Sequence, residues 1–420
     1  MKKIVAYLSF VGFLLVLCGA VSLPDQQAED WGFVGHKRIN RMAVFTLPPD
    51  MIGFYKTHIE YLTEHAVDPD KRRYATKFEA VRHYIDIDHH GVYPFPNLPR
   101  VWTDALAQFT DIFVVNSTGD TLQLMGQGTM TKKRNQLTLK STSIQPVFGT
   151  DSLELDYQSY RAWFSRNVLP QYYEDEWIVS CDTLQLLFPE LDCASVILKD
   201  ELSPYGILPY HLLQSYRQLV RAFEKQEIDR ILRLSAEFGH YIGDAHVPLH
   251  TTTNYNGQLT NQLGIHGFWE SRLIELFSDE YDYFVGPANY IDNPRGYFWE
   301  TVLTSHFLVD SVLGIEKRLS RTFPEDQQFC FEQRSDATVR LQCEAYSRAF
   351  HEEMKGMVED RFTKTIHSLG SLWYSAWIDA GQPNLNKLNQ KDPKEEDLKV
   401  QEELEKQFRQ GEIKGRDHSG

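Results

Sequence analysis

Residues 228–250 read IDRILRLSAEFGHYIGDAHVPLH, and this stretch decides how the rest of the chain is interpreted. Apolar residues recur in it at the spacing of one face of an amphipathic helix, namely Ile231, Leu234, Phe238, Tyr241 and Ile242. The pattern predicts a helix over 228–244, which Pro248 is expected to end. A similar pattern predicts a second long helix over 208–224, directly before it.

Histidines and carboxylates follow a regular spacing at the end of this predicted helix. His240 and Asp244 are four residues apart, which places both side chains on one helical face. His250 follows, and His266 and Glu270 repeat the spacing. A single pair of this kind is typical of a surface helix or of a histidine satisfied in the core. Two pairs within 31 residues, with His250 between them, indicate a metal site, and these nitrogen and oxygen ligands suit zinc.

HYIGDAHVPLH followed by HGFWESR resembles the bacterial zinc-dependent phospholipase C family and the zinc nucleases that share its trinuclear site. WGFVGH at 31–36 is similar to that family's N-terminal tryptophan and first histidine, and HYIDID at 83–88 is similar to its His-aromatic-x-Asp segment. Asp68 precedes His83 by fifteen residues, as the family's first aspartate precedes its histidine. The likeness covers about 31–90 and 205–275.

The resemblance implies a site with three zinc ions. One is implied to be bound by Asp68, His83, His240 and Asp244, a second by His250, His266 and Glu270, and a third by Asp244, His36 and the backbone amine and carbonyl of Trp31. In the family that tryptophan is the mature N-terminus, whereas the cleavage expected here leaves several residues before it. Either further trimming occurs, or the third ion lacks its amine ligand and the site holds two ions firmly.

Other residues near His83 leave choices open. Asp70 is an alternative to Asp68 as the first aspartate. The residues around His83 are predicted to form a helix over 75–88. Four further polar residues follow His83 closely, and we interpret them as carboxylates that support the ligands and as solvent-facing histidines: Asp86, Asp88, His89 and His90.

Paired zinc ions suit phosphodiester hydrolysis, because they lower the pKa of water and neutralise phosphate charge. Asp68 is the candidate catalytic residue that orients or deprotonates the attacking water. The expected substrate is a phosphodiester, with a phospholipid headgroup favoured over nucleic acid and peripheral membrane contact as a further expectation. The presence of Glu270 favours the phospholipases, whereas the spacing from Trp31 to His36 favours the nucleases. No protein partner is implied.

Two other functions stay open. A zinc nuclease would need aromatic platforms for base stacking, for which the candidates are Tyr255, Phe268 and Trp269. A binding protein that keeps the zinc sites without turnover would need closed sites with no open ligand position. Metal-dependent cleavage of a chromogenic phosphodiester separates an enzyme from such a binding protein.

Composition and patterning predict an all-α fold. The chain has 420 residues, of which 42% are apolar, and these values are ordinary for a globular protein. Its net charge of -15 disfavours a dedicated nucleic-acid binder. We expect one multi-helix domain over 31–382 with the metals in a cleft between helices. The segment 116–155 is expected to be a loop or hairpin insertion, and 383–420 a charged tail that is disordered or helical.

The N-terminus and the cysteines predict export, to the periplasm or the medium. Residues 1–22 have the basic start, apolar run and small residues of a signal peptide. An uncleaved anchor and lipid attachment at Cys18 are the alternatives. The remaining cysteines fall into two close pairs, which predicts disulfides Cys181–Cys193 and Cys330–Cys343.

Overall fold

The structure is a computed structural model that describes residues 32–126, 128–140, 148–173, 176–177, 179–334, 337–388, 395–411 and 414. The predicted signal peptide, Cys18 and Trp31 lie outside these residues.

Helices make up most of the described chain. The longer ones are Gly32–Ala43, Pro49–Thr57, Leu208–Lys225, Ile228–His246, Pro294–His306, Val309–Thr322, Glu344–Glu353, Met357–Asp379 and Glu395–Arg409. The shorter ones are Ile59–Glu64, Asp68–Arg72, Lys77–Ala80, Trp102–Phe109, Tyr157–Trp163, Cys181–Gln185, Ile265–Gly267 and Leu273–Phe277. The two helices predicted from residues 208 and 228 are confirmed, and the last helix lies in the charged tail.

Ile228–His246, called the ligand helix from here on, lies at the centre of the bundle. It packs against Leu208–Lys225, Met357–Asp379 and Gly32–Ala43, and its apolar stripe is buried among them. The hydrophobic effect therefore fixes this helix on several sides. Any side chain on its last turn is held in a defined place relative to the neighbouring helices.

Two glycines let the helix Gly32–Ala43 approach the ligand helix closely. A Cβ at Gly239 would overlap Oδ1 of Asn40, and a Cβ at Gly243 would lie 2.8 Å from the His36 ring. Nδ2 of Asn40 donates to the carbonyl of Leu62 at 2.8 Å and to a carbonyl of the ligand helix at 3.0 Å. The close approach brings His36 over the end of the ligand helix.

The all-α expectation is wrong, because the fold also contains antiparallel sheets. Within the described part of the chain, eight strands of four to six residues form three small sheets: β1 (Thr110–Val115), β2 (Thr121–Met125), β3 (Met130–Lys133), β4 (Gln136–Lys140), β5 (Ser152–Asp156), β8 (Ser195–Asp200), β9 (Phe329–Arg334) and β10 (Ala337–Gln342). Their orders are β2-β1-β8, β3-β4-β5 and β9-β10, and a two-residue pair, β6 (Tyr172–Tyr173) and β7 (Glu176–Trp177), is added.

The first sheet shows why sequence periodicity missed the strands. The stretch TDIFVV of β1 is rich in β-branched residues, which favour a strand, and it directly follows the helix Trp102–Phe109 without a turn signal. Its partner β8 begins eighty residues further on, with Val115 opposite Ser195. Pairing across such a separation leaves no local pattern. The predicted insertion, 116–155, contains β2, β3, β4 and most of β5.

Both predicted disulfides are present, Cys181–Cys193 and Cys330–Cys343. Disulfides are typical of proteins that fold in an oxidising, exported compartment. Among the residues that the structure describes, every helix is too short or too polar to cross a membrane.

Candidate metal centre

The C-terminal turn of the ligand helix carries the centre of the site. His240 and Asp244 lie one turn apart on its buried face, each about 1% exposed. The helix ends at His246, as the following proline requires, and a tight turn over Pro248–Thr251 then places His250 beside them.

A first ligand group joins the ligand helix to two earlier segments. Nδ1 of His83 lies 3.0 Å from Asp244 Oδ2 and 3.1 Å from His240 Nε2. Oδ1 of Asp70 lies 3.5 Å from His240 Nε2 and 3.8 Å from His83 Nδ1. The ligand atoms of His83, His240 and Asp244 all lie within 4.8 Å of one another, and Asp70 adjoins both histidines, so we take these four residues as the first group.

His83 does not lie on a helix, contrary to the expectation for 75–88. Only Lys77–Ala80 is helical, because the following backbone bonds to other segments instead of to itself. The amide of Ile85 donates to the carbonyl of His250, and the amide of Asp86 donates to that of Tyr205. These bonds attach the His83 segment to the turn that carries His250.

A second ligand group lies on the C-terminal side. Oε2 of Glu270 lies 2.8 Å from His266 Nε2 and 3.1 Å from His250 Nε2. Glu270 sits in a π-helical turn, Phe268–Arg272, that follows the short helix bearing His266. Widened turns of this kind are frequent at functional sites. The second group is therefore His250, His266 and Glu270.

Asp244 lies between the two groups. Its Oδ2 faces the first group, and its Oδ1 lies 3.9 Å from Nε2 of His250 and 3.7 Å from Nε2 of His36. His36 also lies 3.6 Å from Oε1 of Glu270, and its ring stacks on that of His240 at 3.9 Å between centroids. His36, Asp244 and Glu270 thus form a third potential ligand set that shares members with the others.

Backbone carbonyls set the protonation of three of these histidines. Nδ1 of His240 lies 3.0 Å from the carbonyl of Ala66, Nδ1 of His250 lies 2.6 Å from that of His83, and Nδ1 of His266 lies 3.3 Å from that of Tyr255. A carbonyl can only accept, so we assign the proton to Nδ1 in each case. Each Nε2 faces the other ligand residues of the site, and it is the nitrogen that would bind a metal ion.

Of the nine residues predicted to bind metal, the structure brings seven together: His36, His83, His240, Asp244, His250, His266 and Glu270. Trp31 lies outside the described residues. Asp68 is not in any of the groups; its Oδ2 bonds to Nδ1 of His65 at 2.8 Å, and its Oδ1 lies 3.8 Å from the amine of Lys71. The aspartate that joins the histidines is Asp70, the alternative that the sequence left open.

Glu79 is a functional candidate that sequence reasoning missed. It is fully buried, and its Oε1 lies 3.7 Å from Nε2 of His83, on the side of the ring away from the first group. Arg72, Arg82 and the hydroxyl of Tyr241 all donate to it. A carboxylate behind a metal-binding histidine orients the ring. The sequence signal for Glu79 is its position four residues before His83, because the pairs His240–Asp244 and His266–Glu270 have the same spacing.

Asp88 braces the turn that carries His250. It accepts hydrogen bonds from the hydroxyl of Thr252 at 2.7 Å and from the amide of Thr253 at 2.9 Å. This supports its interpretation as a residue that holds ligands in place. His90 was expected to face solvent but is buried against Phe109.

The electrostatics of the site are those of a cluster of ionised carboxylates. Burial raises the pKa of Glu270, but the charge of His250 and the hydrogen bonds of His250, His266 and His36 outweigh it and hold the pKa well below its usual value. The pKa of Asp70 is also lowered, since His240 and His83 outweigh its burial. Burial lowers the pKa of His83, but its contacts with Asp244 and Glu79 raise it to about 9. Buried carboxylates this close together require positive charge among them, which a metal ion supplies.

A cavity of about 270 Å³ opens onto these groups. Ligand residues form its floor, including Asp70 and Glu270, whose side chains stay 18% and 16% exposed. Leu263, Phe329 and Arg340 lie at its edge. A small molecule can therefore reach the ligand atoms.

No protein-family model matches the chain, and no curated protein matches it. The buried histidine and carboxylate groups can hold metal ions.

Proposed function

We propose that this chain is a zinc-dependent phosphodiester hydrolase related to the zinc-dependent phospholipases C. The observation that carries the proposal is the position of Asp244, whose two oxygens face two ligand groups on the floor of an open cavity. Bridged metal pairs suit phosphodiester cleavage, and the open cavity argues against a purely structural site.

Zinc fits the donor set. Imidazole nitrogens, most of them held as neutral acceptors by backbone carbonyls, outnumber the carboxylates in the second group and equal them in the first. Zinc prefers such mixed nitrogen and oxygen ligands. We infer one ion at each group, and a third at His36, Asp244 and Glu270 if the amine of Trp31 completes that set.

When bound, the ions lower the pKa of water and neutralise phosphate charge. Asp70 and Asp244 both line the cavity, but the Asp70 side chain is 18% exposed and that of Asp244 only 1%. We therefore assign to Asp70 the role assigned to Asp68 from sequence, which is to orient the attacking water. Glu79 holds the His83 ring, and Asp88 holds the turn of His250.

A phospholipid headgroup is the preferred substrate. Phe268 and Trp269 are 2% and 3% exposed, so they offer no stacking platform to a base, and Tyr255 is half-buried beside His266. In contrast, Leu263 at the edge of the cavity is 73% exposed. Aliphatic groups at the entrance suit acyl chains better than bases.

The test is metal analysis of the purified protein, together with hydrolysis of a phosphatidylcholine analogue, a chromogenic phosphodiester and single-stranded DNA. We expect at least two zinc ions and cleavage of the lipid analogue, both reduced in His240→Ala. The control is His367→Ala, because His367 is half-buried outside the ligand groups and bonds to the Pro287–Asn289 segment.

Each other outcome has a definite meaning. Cleavage of DNA alone would identify a nuclease. Bound metal without hydrolysis of any phosphodiester would identify a binding protein. Less than one metal ion per chain would refute the site itself.

A further inference from the structure

The hairpin of β9 and β10 forms one wall of the cavity entrance. Phe329, Arg340 and Gln342 line the cavity, and Phe331 follows on the same face of the strand, 73% exposed. In the register of the hairpin, Phe331 lies opposite Arg340, and the Arg340 guanidinium stacks over the Phe329 ring at 3.7 Å. The outer face of the hairpin is thus continuous with the wall of the cavity.

This hairpin is held rigidly, so its phenylalanines cannot fold back onto the protein. The disulfide Cys330–Cys343 closes its base. On its inner face Glu332 pairs with the buried Arg272 and Arg334, and Arg334 also bonds to Glu275 at 3.0 Å. The exposure of Phe331 is therefore a fixed property of the surface.

A second segment brings apolar side chains to the same entrance. Leu263 lines the cavity, and Leu259 in the same loop is 71% exposed. The loop is fixed by Gln262, which donates to the carbonyl of Leu313 at 2.9 Å, and by Asn254, which donates to Thr260 at 3.0 Å. Fixed, exposed apolar side chains around one opening mark an interaction surface.

We propose that this rim, formed by Leu259, Leu263, Phe329 and Phe331, docks onto the surface of a zwitterionic phospholipid membrane. The inference rests on the proposed function and names the physical state of its substrate. These apolar side chains beside the opening would enter the interface between headgroups and acyl chains and place the cavity over a headgroup.

Charge on the rim favours a lipid over nucleic acid. The described outward side chains of the hairpin are Phe329, Phe331, Gln333, Thr338, Arg340 and Gln342, and none of them is acidic. This face therefore offers the Arg340 guanidinium to a headgroup phosphate, with no carboxylate among the described outward side chains of the hairpin. Leu259 and Leu263 offer no ring to a base, the Phe329 ring is covered on one face by the Arg340 guanidinium, and the acidic chain repels a polyanion.

The test compares Phe331→Ser with Phe284→Ser. Phe331 is exposed and does not line the cavity, and Phe284, 92% exposed, lies outside both the rim and this cavity. Flotation with phosphatidylcholine vesicles measures binding without any turnover. We expect Phe331→Ser to weaken binding about tenfold, since the burial of a phenylalanine side chain is worth that much or more. Phe284→Ser should bind as the wild type does.

Turnover separates this inference from the proposed function. Phe331→Ser should cleave phosphatidylcholine vesicles more slowly and a soluble chromogenic phosphodiester at the wild-type rate. If the wild type floats but cleaves neither substrate, the proposed function fails and the docking surface stands. If the wild type does not float, if both variants lose binding equally, or if Phe331→Ser loses binding to single-stranded DNA instead, the docking surface is refuted.

Discussion

The two ligand groups are built in different ways. The second group, His250, His266 and Glu270, comes from one stretch of 21 residues. The first group spans residues 70–244, and it exists only because the ligand helix packs against the segments that bear Asp70 and His83. The second group therefore depends mainly on one short stretch of the chain, whereas the first group depends on tertiary packing.

The two groups are nevertheless joined. Asp244 faces both of them, and His83 contributes its side chain to the first group and its carbonyl to His250 of the second. Substitutions that act on one group, on both, or on the packing beneath them should therefore give distinct results.

The largest effect is expected from Asp244→Ala, which removes the residue common to both groups. We expect loss of metal from both and a fall in phosphodiester hydrolysis of more than about 100-fold, the upper range for residues that only support a ligand. Metal analysis and steady-state kinetics measure these effects. The control His266→Ala should lose the metal of the second group alone. If Asp244→Ala keeps one ion in full, Asp244 does not bridge.

A smaller effect, confined to the first group, is expected from Glu79→Gln. Loss of the negative charge behind His83 should weaken one metal ion about 10- to 100-fold, in line with other supporting carboxylates. Competition with a chromogenic chelator measures the affinity. Glu237→Gln is the matched control, because Glu237 pairs with Arg72 at 2.7 Å in the same network without touching His83. Equal weakening in both variants would contradict a specific role for Glu79.

The smallest effect on the metals is expected from Gly239→Ala, which acts on packing. The added methyl would overlap Asn40 and lie 2.8 Å from Leu369, so we expect a loss of about 1–3 kcal/mol in the free energy of unfolding. Urea unfolding measures it. Gly314→Ala, on a helix with open space around it, should instead be neutral or stabilise by about 0.5–1 kcal/mol. A Gly239→Ala variant as stable as the wild type would show that the two helices can separate at no cost.

The sequence predicted the two long helices from residues 208 and 228 well, but it predicted the segment 75–88 and the strands poorly, for a physical reason. The ligand helix shows its packing as a periodic stripe, since its apolar positions Ile231, Leu234, Phe238, Tyr241 and Ile242 are all buried. The strand β1 shows nothing comparable, because its pairing with β8 depends on residues eighty positions away. A hydrophobic pattern in the sequence reflects the burial of neighbouring residues. The pairing of β1 with β8 joins residues far apart in the sequence, so it leaves no such pattern.

The same distinction holds within the site. His240, Asp244, His266 and Glu270 were predicted because each pair follows helical spacing. Asp68 was chosen over Asp70 on spacing to His83 alone, but the orientation of the short helix Asp68–Arg72 decides which carboxylate reaches the histidines. That orientation is set by tertiary contacts, as is the placement of Glu79.

Three histidines of the site give their N–H groups to the main chain of other segments, at Ala66, His83 and Tyr255. The course of the backbone is therefore itself a component of the metal centre. The acceptor at positions 66 and 255 is a main-chain carbonyl, so truncation of the side chain, as in Tyr255→Ala, leaves the hydrogen bond to the imidazole in place. An insertion or deletion next to either position would move the acceptor carbonyl. The imidazole would then rotate, and its Nε2 would no longer face the metal site. Tolerance to substitution combined with intolerance to changes in length is thus the evolutionary pattern expected around this centre.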